Sequence, residues 1–293
     1  VPLALIARGE HLRAIRERGL RLESIAGDAL VHPAIATADP GAVGTVDAVL
    51  VATKTWQLPE AARTMRPLVG AETVVVPLLN GVEAPEVLTE ALGAEPVLGG
   101  LSGMFSFIAG PGHIRHVGAE PWVTLGELEG GLSERVRRLA AILERCRGLQ
   151  VHPSEDIRVA MWEKFMFITA TGGVGAVTRS PYGAFRAVRE TRDMVEAAMR
   201  EVVAVARARG IGLSERAISE RMRFIDSLEP HGTTSMQRDM DASKRSELDE
   251  WNGAVVRLGR ERGVETAVHA YIYASLLPRE LRARGDLEFP EAR

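Results

Sequence analysis

Thr73-Val74-Val75-Val76-Pro77-Leu78-Leu79-Asn80-Gly81-Val82-Glu83 sets the fold class. An apolar run of strand length ends in an Asn-Gly turn and leads into a helical segment from Pro85 to about Leu92. Such a run reads as a strand buried on both faces, the kind found in parallel sheets. The same pattern stands upstream. Asp47-Ala48-Val49-Leu50-Val51-Ala52 is a second buried strand, followed by Thr53-Lys54-Thr55-Trp56-Gln57 and a helix from Pro59 to about Leu68. Further back, Leu3-Ala4-Leu5-Ile6-Ala7 is a third, closed by Arg8-Gly9 and followed by an amphipathic helix over 10–18. Short strand-like pieces lie at Leu20-Arg21-Leu22 and Ala34-Ile35-Ala36. Strand–helix alternation implies right-handed crossovers and a parallel sheet, whose ligands bind beyond the carboxyl ends of the strands.

Downstream the pattern changes. Residues 104–128 alternate with Gly and Pro turns and predict antiparallel strands that extend the sheet. A surface helix spans 132–147, and Val151-His152-Pro153 is a short connection. From Ser154 onward nearly everything is helical, with periodic segments near 155–171, 184–209, 214–228, 234–243, 247–262 and 266–284. The expected class is α/β: a Rossmann-like, doubly wound sheet domain over 1–150, then an all-α domain over 151–293.

The 46% hydrophobic content is that of a globular protein with a sizeable core. A net charge of −3 argues against nucleic acid or an anionic membrane as partner. No apolar run reaches membrane-spanning length, and no signal peptide opens the chain. A single cysteine, Cys146, fits a reducing compartment, so a cytoplasmic location is expected. The seven histidines lack metal-site spacing, so no metal is expected. Gly172-Gly173-Val174-Gly175 follows a helix and reads as a helix end, not a phosphate loop.

Three polar residues fall at strand ends. Arg8 suits the 2′-phosphate of NADP, or merely keeps a strand end soluble. Lys54 offers a point charge for phosphate or carboxylate, or is an ordinary exposed lysine. Asn80 is either turn chemistry or a donor to a substrate carbonyl. In the helical half, Lys164 is the one cation within the apolar run Met161-Trp162-Glu163-Lys164-Phe165-Met166-Phe167-Ile168. It either snorkels or is a desolvated amine able to act as an acid near neutrality. Glu247 opens a helix through Leu248, Trp251, Val255 and Leu258, and is a dipole residue or a ligand group.

Taken in order, Ala52-Thr53-Lys54-Thr55-Trp56-Gln57, Leu79-Asn80-Gly81-Val82-Glu83, Trp162-Glu163-Lys164-Phe165, Ser235-Met236-Gln237-Arg238-Asp239 and Ser246-Glu247-Leu248-Asp249 with Asn252-Gly253 resemble the successive signatures of the ketopantoate reductase family. The resemblance runs end to end. It implies NADPH-dependent reduction of 2-dehydropantoate to pantoate on the way to pantothenate. It makes Lys164 the general acid, Asn80 a ligand of the carbonyl oxygen lining the nicotinamide site, and Ser235 a ligand of the substrate carboxylate. Glu247 would bond the substrate hydroxyl and help orient the cofactor, with Arg8 and Lys54 at the NADP end. The implied partner is a small 2-oxo acid, and a homodimer is compatible with it.

Two departures from the family qualify this. The family opens with a strand–G-x-G-x-x-G–helix unit of roughly 20–25 residues that binds pyrophosphate, and this sequence lacks it. Either the start lies upstream or tight cofactor binding is lost; the intact later motifs favour an upstream start. Second, family members carry asparagines four and eight residues after the lysine, where this chain has Ile168 and Gly172. A pocket lined by Ile and Gly would have more room and fewer hydrogen bonds, weakening discrimination by about 1–3 kcal/mol. That points to a less polar, branched 2-oxo acid. A non-catalytic remnant serving as a dimerising or small-acid-binding module is the alternative of another class. A 6-phosphogluconate-type or hydroxyacid dehydrogenase fits the motif contexts less well.

Overall fold

A computed structural model describes residues 1–288. The chain divides into two compact units, Val1–Ala160 and Met161–Arg293. Among the described residues no helix is long and apolar enough to cross a membrane.

The first unit is mixed α/β and Rossmann-like. It runs β1 (Ala4–Ile6), α1 (Gly9–Arg18), β2 (Leu20–Ser24), β3 (Ala29–Val31), β4 (Ile35–Thr37), β5 (Ala48–Val51), α2 (Leu58–Thr64), β6 (Val74–Pro77) and α3 (Ala84–Leu92). Then follow β7 (Gly99–Gly110), β8 (His113–Gly126), α4 (Glu134–Leu143) and β9 (Gln150–Pro153). β6 is buried throughout, and its period of two serves two cores. Val75 packs with Val51, Leu58, Leu79 and Leu88; Val74 and Val76 pack with Leu98, Val123, Leu125 and Leu139. Each fully buried valine contributes about 1.5–3 kcal/mol, which is why an unbroken apolar run sits here.

The sheet differs from the expected single one. β1 pairs in parallel with β4, and β5 in parallel with β6, but no hydrogen bonds join the two pairs among the described residues. Residues 104–128 do not extend either pair. They build a five-stranded sheet in which β8 takes β7 on one side and, on the other, β2 and then β9, both in parallel. At 14 residues, β8 is long enough to hold two short strands end to end. This gives Val151-His152-Pro153 a ladder partner, so the predicted connection is a strand.

The second unit is helical: α5 (Ile157–Thr178, entering from the first unit), α6 (Tyr182–Ala187), α7 (Arg189–Ala208), α8 (Arg216–Ser227), α9 (Ser235–Asp241), α10 (Ala254–Glu261) and α11 (Ala267–Arg284). The expected helix over 184–209 is interrupted at Val188, which takes an extended backbone. A π-helical turn, Asp249–Gly253, precedes α10. Glu201 caps α11, accepting hydrogen bonds from the backbone N–H groups of Val268 and His269 at 2.7 and 3.0 Å.

The glycine run corrects the sequence reading most clearly. α5 continues through Gly172-Gly173-Val174-Gly175 and stops at Arg179, whose φ is 52°. Glycine costs a helix about 1 kcal/mol per residue, so something must require it here. A Cβ on Gly172 would lie 2.8 Å from the Trp251 ring, one on Gly173 2.6 Å from Asn252 Nδ2, and one on Gly175 2.8 Å from Gln237 Oε1. The π-helical turn and α9 press onto this stripe. The room expected at Gly172 is therefore filled by Trp251.

Candidate functional site

In the first unit, three elements carry polar side chains to the carboxyl ends of parallel strands. Arg8 follows β1, Lys54 follows β5 and Asn80 follows β6. One contact links two of these positions, and another ties Arg8 to α2. Arg8 pairs with Glu60 of α2 at 3.0 Å, both side chains exposed. The Thr55 hydroxyl, next to Lys54, donates to the Asn80 carbonyl at 3.3 Å. The ammonium of Lys54 stands 5.4 Å from the centre of the Trp56 ring, a cation–π distance. Two exposed cations and an amide at this edge suit the phosphate and polar ends of a dinucleotide.

The second unit holds Lys164, Ser235 and Glu247. Lys164 lies in the first half of α5, whose neighbouring residues Met161, Trp162, Phe165 and Met166 are all buried. Desolvation pulls its amine down to about 8, and the Glu247 carboxylate opposes the fall. The adjacent carboxylate, Glu163, turns instead to Arg221 of α8 at 3.1 Å. Glu247 is 5% exposed and stands just before the π-helical turn, its carbonyl accepting from Trp251 N–H at 2.9 Å. Ser235 opens α9 behind its cap Thr234, whose hydroxyl accepts from Gln237 N–H at 3.2 Å. The next residue, Met236, reaches the Gly172 position of α5. The unit thus couples Lys164 to Glu247 and packs Ser235's helix against the helix of Lys164.

A charged lysine tied electrostatically to a carboxylate in an apolar helix is suited to giving a proton to a developing oxyanion. Beyond Lys164, the same face of α5 carries Ile168 and then Gly172 under Trp251, without a polar side chain. Among the described residues no cluster of His, Cys, Asp or Glu suits a metal ion.

Several buried polar residues of this unit had no role assigned from the sequence. Asn252 is fully buried; its amide donates to the Thr169 carbonyl at 3.2 Å and meets His269 Nδ1 at 3.0 Å. Glu280 is 1% exposed and bonded to Ser246. Its signal was present: Ile272, Leu276 and Glu280 recur at intervals of four, which puts the carboxylate on the buried stripe of α11.

Two family models match the chain: ketopantoate reductase PanE/ApbA over residues 2–130, and ketopantoate reductase PanE/ApbA C terminal over 156–280. A 2-dehydropantoate 2-reductase of Halobacterium salinarum is 31% identical over 263 residues, covering 89% of this chain and 85% of the relative. An uncharacterized oxidoreductase, YkpB, of Bacillus subtilis is 27% identical over 274 residues, covering 94% and 89%. The crystal structure of a PanE/ApbA family ketopantoate reductase from Ralstonia eutropha JMP134 superposes with a TM-score of 0.85 at 31% identity, covering 96% of this chain and 91% of that one. With both halves matched in order, the chain belongs to the ketopantoate reductase family of oxidoreductases.

Proposed function

We propose that the protein reduces a 2-oxo acid to the 2-hydroxy acid with NADPH, and that 2-dehydropantoate, giving (R)-pantoate for pantothenate synthesis, is its substrate. The observation that carries this reading is the desolvated Lys164 ammonium held beside the Glu247 carboxylate. NADPH, when bound, supplies the hydride that adds to C2. As negative charge builds on the carbonyl oxygen, Lys164 gives that oxygen its proton and is left as a neutral amine, recharged from solvent. With a pKa of about 8 it is about 90% charged at pH 7, yet acidic enough to donate. In the second unit Glu247 accepts a hydrogen bond from the substrate hydroxyl and Ser235 donates to the substrate carboxylate, while in the first Asn80 lines the nicotinamide end of the cofactor. Arg8 and Lys54 hold the phosphate end of the cofactor.

A second reading is supported by Ile168, an apolar, partly exposed residue one turn beyond Lys164: a less polar, branched 2-oxo acid in place of 2-dehydropantoate. One assay separates the two. NADPH oxidation is followed with 2-dehydropantoate and with unhydroxylated branched 2-oxo acids, for wild type and Lys164→Ala. The main reading expects a preference for 2-dehydropantoate and a kcat reduced roughly a hundred- to ten-thousand-fold in the variant. A reversed preference selects the second reading. Cofactor binding without turnover of any 2-oxo acid would falsify both.

A further inference from the structure

Glu247 stands on a short segment between α9 and the π-helical turn, and one buried group anchors that segment. The carboxylate of Glu280, in the last part of α11, accepts from Ser246 N–H at 3.0 and 3.2 Å and from the Ser246 hydroxyl at 2.6 Å. The Ser246 oxygen also accepts from Leu248 N–H at 3.3 Å, so the backbone before Glu247 is tied to Glu280 directly and the backbone after it through the Ser246 hydroxyl. Ser246 is fully buried and Glu280 is 1% exposed. A lone carboxylate in such a place would be costly; here Arg284, one turn on, donates Nε–H to Glu280 at 2.7 Å. The same guanidinium donates from Nη1 to Asp249 at 2.6 Å, and Tyr273 O–H donates to the other Asp249 oxygen at 2.7 Å. Ser246 and Asp249 are thereby fixed from α11, and Leu248 through Ser246, with Glu247 between them.

We propose that Glu280, braced by Arg284, is a positioning residue that acts through Glu247, holding its carboxylate beside Lys164. This rests on the reductase reading above. The network is more elaborate than anchoring a loop demands, since an apolar contact would do that without burying a charge pair. What carboxylate and guanidinium add is direction: the N–H and the hydroxyl of Ser246 converge on Glu280, and a second carboxylate, Asp249, is fixed to the same arginine. The charged groups on the segment are Lys244, Arg245, Glu247, Asp249 and Glu250, and those facing it include Glu280 and Arg284 on α11 and Lys164 on α5.

The chain has only three lysines, Lys54, Lys164 and Lys244, so isotope labelling at the lysine ε-carbon yields an NMR spectrum in which Lys164, assigned with Lys164→Met, can be titrated without any assay of turnover. Glu247 raises the proton affinity of Lys164, so releasing Glu247 must lower the Lys164 midpoint. Glu280→Gln is expected to lower it by about half a unit or more, and Ser246→Ala to move it the same way by less. In a Glu247→Gln background neither substitution should move it further. The kcat/KM profile of Glu280→Gln should show the same displacement. An unchanged midpoint in both variants, even with a lowered Tm, overturns the proposal by making Glu280 merely structural. So does an equal shift with and without Glu247, which would mean that Glu280 acts on Lys164 directly. A wild type inactive on 2-oxo acids overturns the reductase reading instead, and the titration still decides whether Glu280 positions Glu247.

Discussion

Glu247 and Lys164 oppose each other's surroundings: burial strips solvent from the Lys164 amine and lowers its pKa to about 8, while the carboxylate of Glu247 restores part of the lost proton affinity. Acidity and charge are thereby set by two separate elements, α5 and the segment before the π-helical turn. Neither alone would leave a mostly charged yet usable acid at neutral pH.

The reaction should accordingly depend on a protonated group. With Lys164 as the acid, kcat/KM is expected to be level below pH 7 and to fall tenfold per unit above about 8. Removing the opposing charge with Glu247→Gln should move that limb to lower pH and also raise KM. A pH–rate profile of both proteins checks this; an unmoved limb in the variant would assign it to another group.

His269 makes a second pH-dependent element, this time in stability. Its Nε2 faces the Ala198 carbonyl at 3.0 Å, which can only accept, so Nε2 carries the proton and Nδ1 accepts from the Asn252 amide. Full burial holds the ring neutral down to about pH 4, against an ordinary value of 6.5. The folded pKa is lowered, so the unfolded chain binds the extra proton first. Stability is complete above pH 6.5 and is lost as pH falls toward 4, by roughly 3 kcal/mol in all. Urea unfolding between pH 4 and 7 measures it, and His269→Gln should flatten the slope over that window.

Gly173 tests the packing of α5. Replacing it with alanine gains about 1 kcal/mol of helix propensity. The new Cβ would lie 2.6 Å from Asn252 Nδ2 and 2.9 Å from Ile272 Cγ2, both on fully buried residues with little freedom to move. Overpacking of this kind costs about 1–3 kcal/mol, so a net loss is expected for Gly173→Ala. Thermal unfolding should show a lower Tm; a higher one would mean that Asn252 can retreat.

Arg8 tests the proposed cofactor end. A guanidinium at the end of β1 favours a 2′-phosphate over a free hydroxyl. Arg8→Ala is expected to raise KM for NADPH about tenfold while changing that for NADH little, since a single charged contact is worth about 1–2 kcal/mol. Steady-state kinetics with both cofactors decide it. Equal effects on the two would leave Arg8 as only the partner of Glu60.

The sequence by itself determined the buried parallel strands and the helical character beyond residue 155, and it named the candidates for acid chemistry, because each is written in a local period or in a short motif. Val74–Pro77 and the apolar helix around Lys164 needed no partner to be read. Tertiary structure decided what those periods leave open. Strand neighbours depend on chain order in space, so only the structure separated β1–β4 from β5–β6 and gathered β2, β3, β7 and β9 about β8. Glycines 172, 173 and 175 resemble a helix end until Trp251, Asn252 and Gln237 stand against them. The proton affinity of Lys164 and the anchoring of Ser246 by Glu280 likewise depend on groups remote in sequence, because desolvation and charge act through space.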